Sequence, residues 1–185
     1  YKIDTNGQNV SYVSALTSTG ATLTKLGAGT LTLAAANTYT GDTTIGAGTL
    51  RIGNGGTSGS VAGDIINNAT LTLNRSNALS YSGNISGTGA VIQAGVGTTT
   101  LSGNNSFSGG VSLNAGILNL GSAGAIGSSG AISLGGGVLQ YSGNNTSDYS
   151  DRFSTAANQA YKIDTNGQNV SYVSALTSTG ATLTK

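Results

Sequence analysis

The chain has 185 residues, of which 31 are glycine, and it contains no proline, cysteine, methionine, tryptophan or histidine. Without cysteine and histidine it cannot form disulfides or ordinary zinc sites, and we expect no metal and no cofactor. The formal net charge is +1 and the basic residues are not clustered, which argues against nucleic acid as a partner. Good helix formers are scarce, whereas Gly, Ser, Asn and β-branched residues are abundant, so the composition predicts an all-β chain.

Residues 1–25, YKIDTNGQNVSYVSALTSTGATLTK, recur letter for letter as residues 161–185. The chain therefore holds one full period, 1–160, and the opening of the next, and we expect it to be a segment of a longer tandem array. It starts at Tyr1 without a signal peptide, so targeting is expected to be encoded elsewhere. No apolar run approaches the roughly 18 residues that span a bilayer, and we expect no membrane insertion by this segment.

Short alternating segments predict the strands. Three of them, in which one Thr or Arg separates two apolar residues, are Leu31 and Leu33, Leu50 and Ile52, and Leu71 and Leu73. Such alternation gives a strand one buried and one solvated side. The corners between strands, as at 37–42, 51–59 and 104–110, are rich in Gly and Asn, which accept the positive φ of sharp turns. The absence of proline fits strands that are paired on both sides, so the pattern predicts a parallel β-helix.

A weaker repeat appears inside the period, between the segments that begin at Leu26 and at Ala94. Eleven of the 29 positions at 26–54 are identical with those at 94–122, and the aromatic residues Tyr39 and Phe107 align. A shared pattern of this length indicates that one structural unit occurs twice.

The two repeats divide the chain into parts. They predict repeat modules at 9–76 and 77–144, an extra rung at 145–168, and the start of the next period at 161–185. A rung of about 23 residues divides these lengths, which predicts about seven rungs per period at the strand spacing of about 4.8 Å. We expect residues 1–185 to form one continuous solenoid.

The string TKLGAGTLTLAAANTYTGDTTIGAGTLRIG at 24–53 closely resembles the autotransporter passenger-associated β-strand repeat, and 95–121 carries a weaker copy. The resemblance implies a right-handed parallel β-helix that is exported across a bacterial outer membrane, to the cell surface or the medium. Antiparallel Ig-like repeats are the competing fold, because the Asn-Gly pairs at 6–7 and 54–55 are good hairpin dipeptides. A sandwich, however, would not explain the two equal modules and the insert.

Catalysis has few candidate groups in a chain that lacks His, Cys and Glu. There is no ordinary triad base or thiol nucleophile, so we expect no enzyme activity and no catalytic residue. The one tight charged group is Asp148, Asp151 and Arg152 in the insert, which is either a solvated corner with a local ion pair or a contact for a carbohydrate or an ion. A polysaccharide-degrading enzyme would need carboxylates that converge in one cleft, and we do not expect Asp42, Asp64 and Asp151 to converge.

Tyr39 and Phe107 are candidates for a different kind of contact. Exposed aromatic rings at repeated corners can stack on sugars, and the two residues occupy equivalent places in the two modules. The alternative is that each ring packs over a glycine-rich corner and covers its backbone.

These observations favour a structural role. We expect a stalk-like segment of a long extracellular bacterial fibre, in which each rung stacks on the next and copies associate end to end or laterally. The alternative is a repeated adhesin module that binds glycans or neighbouring cells through many weak sites.

Overall fold

A computed structural model describes all residues of the chain, 1–185. Its eighteen short β-strands, numbered in chain order, form three sheets that we call faces 1, 2 and 3. All strand pairings are parallel. The predicted β-solenoid is confirmed, and the antiparallel sandwich is wrong.

Each face is a stack of strands from successive turns. Face 1 contains, in stacking order, β1 (Lys2–Asp4), β3 (Leu23–Leu26), β5 (Thr43–Ile45), β7 (Ile65–Asn67) and β10 (Ile85–Ser86). Face 2 contains β2 (Val10–Tyr12), β4 (Thr30–Leu33), β6 (Thr49–Ile52), β8 (Thr70–Leu73), β11 (Ala90–Gln93), β13 (Val111–Leu113) and β15 (Ile132–Leu134). Face 3 contains β9 (Leu79–Tyr81), β12 (Thr98–Leu101), β14 (Ile117–Leu120), β16 (Val138–Gln140), β17 (Ala160–Asp164) and β18 (Thr182–Thr184).

The chain visits the faces in a fixed order. Strands β7, β8 and β9 lie on faces 1, 2 and 3, and β10, β11 and β12 repeat that order. The right-handed sense of the coil stays a prediction.

Strand pairing gives the length of each turn. The shortest turns run between partners such as Thr30 and Thr49, and the longest outside the insert run between partners such as Lys2 and Thr24. The turn between β16 and β17, which contains the insert, is longer than any of these. The rung length expected from the sequence is therefore too long for most of the solenoid, because strands of three or four residues are joined by tighter corners.

Inward-facing side chains of successive turns form continuous apolar columns. On face 2 the register places Leu31, Leu50, Leu71, Val91, Val111 and Ile132 one above another. All of them are at most 2% exposed and belong to one core of 31 buried hydrophobic residues. Each buried aliphatic side chain contributes about 2 kcal/mol, so the stability grows with the number of stacked turns.

A ladder of small residues forms the corner that leads into face 1. The residues that stack there are Gly41, Gly63, Gly83 and Gly103, where an added Cβ on any of the last three would meet the carbonyl oxygen of the glycine one turn earlier. The turns approach so closely at this corner that only glycine fits without displacing the backbone. Glycine therefore stacks over glycine along this corner. No helix in the structure is both long and apolar enough to cross a membrane.

Candidate functional surfaces

Tyr39 and Phe107 occupy equivalent corners, and both are fully buried. The N–H of Tyr39 donates to the carbonyl oxygen of Leu16, and that of Phe107 donates to the carbonyl oxygen of Ile85. The Tyr39 hydroxyl is 2.6 Å from Oγ1 of Thr43, and burial raises the pKa of Tyr39 to about 12. A ring without accessible surface cannot stack on a sugar, so the packing interpretation of these two residues is the correct one.

The asparagine that precedes each of these rings joins three turns. Asn105 accepts a hydrogen bond at Oδ1 from the N–H of Ile85, and its Nδ2 donates to the carbonyl oxygen of Ala125. Asn37 bonds in the same way to the N–H of Leu16 and the carbonyl oxygen of Ser60. The identity of the two asparagines in the shorter repeat was the signal for this role, which the sequence analysis did not assign.

A lysine inside the solenoid is a second feature that the sequence analysis missed. The Lys25 side chain is completely buried, and Nζ donates to the carbonyl oxygens of Leu26 and Gly27 at 2.7 Å and of Ala47 at 3.1 Å. Desolvation lowers the pKa of Lys25, against the attraction of Asp4. The ammonium group ties carbonyls of two adjacent turns together and is not available to a ligand.

Gln93 takes the place of Lys25 in the second repeat. It is 1% exposed, and Nε2 donates to the carbonyl oxygens of Gly95 and Gly97 at 2.8 and 3.3 Å. The oxygen Oε1 is buried without a hydrogen-bond partner. At this inward position both repeats use a donor side chain to satisfy carbonyls of a glycine-rich corner, and the carbonyl oxygens of Gly27 and Gly95 accept no other hydrogen bond found.

Arg152, in the charged group of the insert, forms hydrogen bonds with backbone groups. Arg152 donates to the carbonyl oxygens of four residues of the corner at 126–130, with distances of 2.6 to 3.0 Å. Its guanidinium carbon lies 5.5 Å from the centre of the Tyr149 ring, and desolvation lowers the pKa of Arg152. Arg152 therefore holds this corner in place through its backbone carbonyls.

Asp148 links two turns through its carboxylate. Oδ1 accepts from the N–H of Ser150 and Oδ2 from the N–H of Val173, both at 2.8 Å. A hydrogen bond with the Ser150 side chain, together with those from the two backbone N–H groups, stabilises the charged form and lowers the pKa of Asp148. A shallow cavity of about 350 Å³ lies beside it and is bordered by Asp151 and Arg152. Of the three predicted contacts, Asp151 alone is exposed and accepts none of the hydrogen bonds found.

Asp42 and Asp64 lie one above the other on adjacent turns. The N–H of Asp64 donates to Oδ1 of Asp42 at 3.2 Å, and the N–H of Asn84 donates to Oδ1 of Asp64 at 2.8 Å. Asp42 and Asp64 are neighbours because residues about one turn apart in sequence stack on each other in a solenoid. Asp151 lies several turns further along. The ladder of acceptors satisfies backbone N–H groups at the corner.

An aromatic cluster fills the interior at the insert. Phe153 packs against Tyr161 and Tyr172, with ring centres 5.7 and 5.4 Å apart, and Tyr141 stacks on Tyr149 at 6.4 Å. The hydroxyls of Tyr141 and Tyr172 are 3.1 Å apart. The cluster joins the insert to the second copy of the duplicated segment, since Tyr161 and Tyr172 belong to that copy.

The largest cavity lies on the last turn. Its volume is about 440 Å³, and Ile163, Tyr172, Leu183 and Lys185 line part of it. The residues identical with Leu183 and Lys185 in the first copy, Leu23 and Lys25, are fully buried beneath the following turn. The cavity is thus the place that another turn occupies in the first copy.

The stacked parallel turns, the continuous core and the repeated corners define the chain as a parallel β-solenoid built from tandem repeats. Two segments, 23–52 and 91–120, match the family described as passenger-associated-transport-repeat. They contain strands β3 to β6 and β11 to β14. The resemblance at 24–53 and its weaker copy at 95–121 are both confirmed.

The chain is also similar to the adhesin BmaC autotransporter of Brucella suis biovar 1 (strain 1330). The two are 58% identical over 53 residues, which cover 29% of this chain and 2% of the relative. The similarity therefore concerns a small part of a much longer protein. No solved structure matches the chain.

Proposed function

We propose that this chain is a stalk-like structural segment of a long extracellular bacterial protein, in which added periods set the reach of the molecule. Passenger-type repeats and the similarity to an autotransporter support a position on the cell surface or in the medium. The segment acts mechanically: each turn is hydrogen-bonded to its neighbours and buries a layer of the core, so that stability is a sum over adjacent turns.

One observation carries this proposal. At the junction between the two copies, the strands β16, β17 and β18 continue face 3 in parallel register. Tyr161 is 2% exposed beneath this junction, whereas the identical Tyr1, which has no turn before it, is 41% exposed. The last turn of one period therefore packs directly against the first turn of the next. A solenoid that is lengthened by repeating the period requires such a junction.

The same packing between turns could join separate chains, so we propose that the partner of this segment is another copy of itself. The last turn presents β18 with one unpaired edge and the cavity over Leu183, and the first turn presents β1 and the half-exposed ring of Tyr1. Open solenoid ends with unpaired strand edges tend to pair with other chains, and a net charge of +1 adds little repulsion. We expect chains to associate end to end, with sedimentation velocity at increasing concentration as the measurement.

Particle length tests the stalk function. At about 21 residues and about 4.8 Å per turn, one added period should lengthen the particle by about 37 Å. Versions of the chain with one and two further periods, viewed by negative-stain electron microscopy, should form straight rods that differ by this increment. Compact particles, or periods that fold into separate beads, would contradict the proposal.

A repeated adhesin is the second candidate, because the similar Brucella suis protein is named as an adhesin. The exposed groups of the corners, Asp151 among them, would then contact glycans or neighbouring cells with low affinity per site. A glycan array probed with the chain and with its lengthened versions separates the two functions. A stalk gives no signal at any length, whereas an adhesin gives a signal that grows with copy number.

We also propose that the segment turns over no substrate. The supporting observation is that Asp148, Arg152 and Lys25 bond to backbone groups, while Asp42 and Asp64 lie at an exposed corner outside the cavities described above. A reducing-sugar assay against a panel of polysaccharides should remain at background. Activity that is lost in Asp64→Asn would overturn this view.

A further inference from the structure

The two copies of the duplicated segment lie on different faces of the solenoid. Strand β1 at the start of the first copy belongs to face 1, whereas its counterpart β17 in the second copy belongs to face 3. The next pair of counterparts behaves in the same way, since β3 lies on face 1 and β18 on face 3. Both copies keep the same internal register, in which Lys2 pairs with Thr24 and Lys162 pairs with Thr184.

Counting turns explains the change of face. From β2, face 2 rises through β4, β6, β8, β11, β13 and β15, and the bridge between Ile132 and Phe153 adds a seventh turn. β17 follows Phe153 on the next face, so the period 1–160 spans seven and two-thirds turns, where about seven were expected. A period that is not a whole number of turns cannot return to its starting face.

The shorter repeat leads to the same count of turns. The matched segments 23–52 and 91–120 are counterparts in the two modules. Strands β3 to β6 alternate between faces 1 and 2, and their counterparts β11 to β14 alternate between faces 2 and 3. The step from one module to the next therefore spans three and one-third turns. Two such steps and the one-turn insert again make seven and two-thirds turns.

We propose that successive periods of this solenoid present identical surfaces on successive faces, related by a rotation of about one third of a turn as well as by translation. Where the period continues, a given residue returns to the same face only after three periods. Every exposed group of the period is then displayed around the whole circumference, and no single face carries all of its copies.

The rotation determines which partners such a surface fits. A rigid partner laid along one face would meet a given site only once in three periods. Separate small ligands, or neighbouring chains that approach from all sides, can each use one copy. We therefore expect a repeated site on this segment to bind many independent ligands around the rod, rather than one extended ligand along it.

Distances between spin labels on the full chain test the rotation. Lys2 and Lys162 are identical outward residues of the two copies, and Ser86 on face 1 and Ser80 on face 3 serve as references. Lys2 is four turns from Ser86 on one face, and Lys162 is four turns from Ser80 on another, so each of these pairs should be about 20 Å apart. Four double cysteine variants combine each lysine with each serine for electron paramagnetic resonance.

The expected result is a reversal of order between identical sites. Lys2→Cys should be closer to Ser86→Cys than to Ser80→Cys, and Lys162→Cys closer to Ser80→Cys. If both lysine positions were closer to the same reference, the period would be a whole number of turns and the proposal would fail. Each variant must keep the melting temperature of the unmodified chain, and Ile66 on face 1 replaces Ser86 if that substitution destabilises the fold. These distances are independent of whether the segment binds any ligand.

Discussion

Leu23 and Leu183 are the same residue of the duplicated segment, yet Leu23 is fully buried and Leu183 is 63% exposed. Their strands differ in pairing: β3 has a strand on each side, whereas β18 is paired with β17 alone. The comparison isolates what one further turn contributes, because the local sequence is constant.

We expect Leu23→Ala to lower the free energy of unfolding by about 3 kcal/mol, through lost apolar burial and the cavity left behind. Leu183→Ala is the matched control and should change it by less than about 0.5 kcal/mol. Chemical denaturation followed by circular dichroism measures both. Equal effects of the two substitutions would mean that the last turn is covered in solution, as in an end-to-end assembly, which sedimentation would then detect.

Lys25 and Lys185 give a second matched pair. Lys25→Met keeps most of the apolar volume but leaves the carbonyl oxygens of Gly27 and Ala47 without the ammonium donor, which should cost about 2 to 3 kcal/mol. Lys185→Met, at an exposed position, should have no measurable effect. Lys25→Gln should recover part of the loss, because Gln93 makes similar bonds in the second repeat. A Lys25→Met variant as stable as the original chain would refute the role of this donor.

Substitution of Gly48 tests whether the corners of adjacent turns are too close together to accept a side chain. Its φ is +66°, and an added Cβ would meet the carbonyl oxygens of Gly27 and Gly29 on the turn before. Gly7 has a similar φ of +78°, but open space surrounds its Cβ position. Gly7→Ala should therefore cost about 1 kcal/mol from backbone strain alone, and Gly48→Ala clearly more, with thermal unfolding as the measurement. Similar losses at the two positions would contradict the steric explanation.

The raised pKa of Tyr39 predicts that the protein loses stability at alkaline pH. Its pKa is raised by burial from 10.0 to about 12, so the folded state disfavours the phenolate. The contribution of the neutral ring is complete below pH 10 and declines between pH 10 and 12, where the unfolded chain ionises first. Denaturation midpoints measured across this range should fall, and they should fall less steeply in Tyr39→Phe. An unchanged slope in that variant would show that other buried tyrosines cause the decline.

The fold was accessible from the sequence because its signals are local and repeated. The alternation around Leu31 and Leu50 placed both residues in the core, and the glycine and asparagine corners required tight turns. The burial of Lys25 could not be predicted from the sequence, because a charged residue is normally assigned to the solvent side. Its side chain nevertheless points to the same side of the strand as the buried Leu23. The partners that only the tertiary structure brings to the interior lysine are the carbonyl oxygen of Ala47 and the hydroxyl of Thr5, which lie on the neighbouring turns.

By itself, the amino-acid sequence determined that this chain is a tandem β-solenoid with a neutral, repetitive surface and few reactive groups. Composition, period-two patterning and identical copies are properties of the chain that need no partner. The tertiary structure decided which residues become neighbours across turns: Asp42 beside Asp64, Arg152 against the corner at 126–130, and the second copy on a different face from the first. The physical reason is that the length of a turn depends on how closely stacked corners pack. A small difference in the length of each turn, accumulated over a period, rotates every repeated surface.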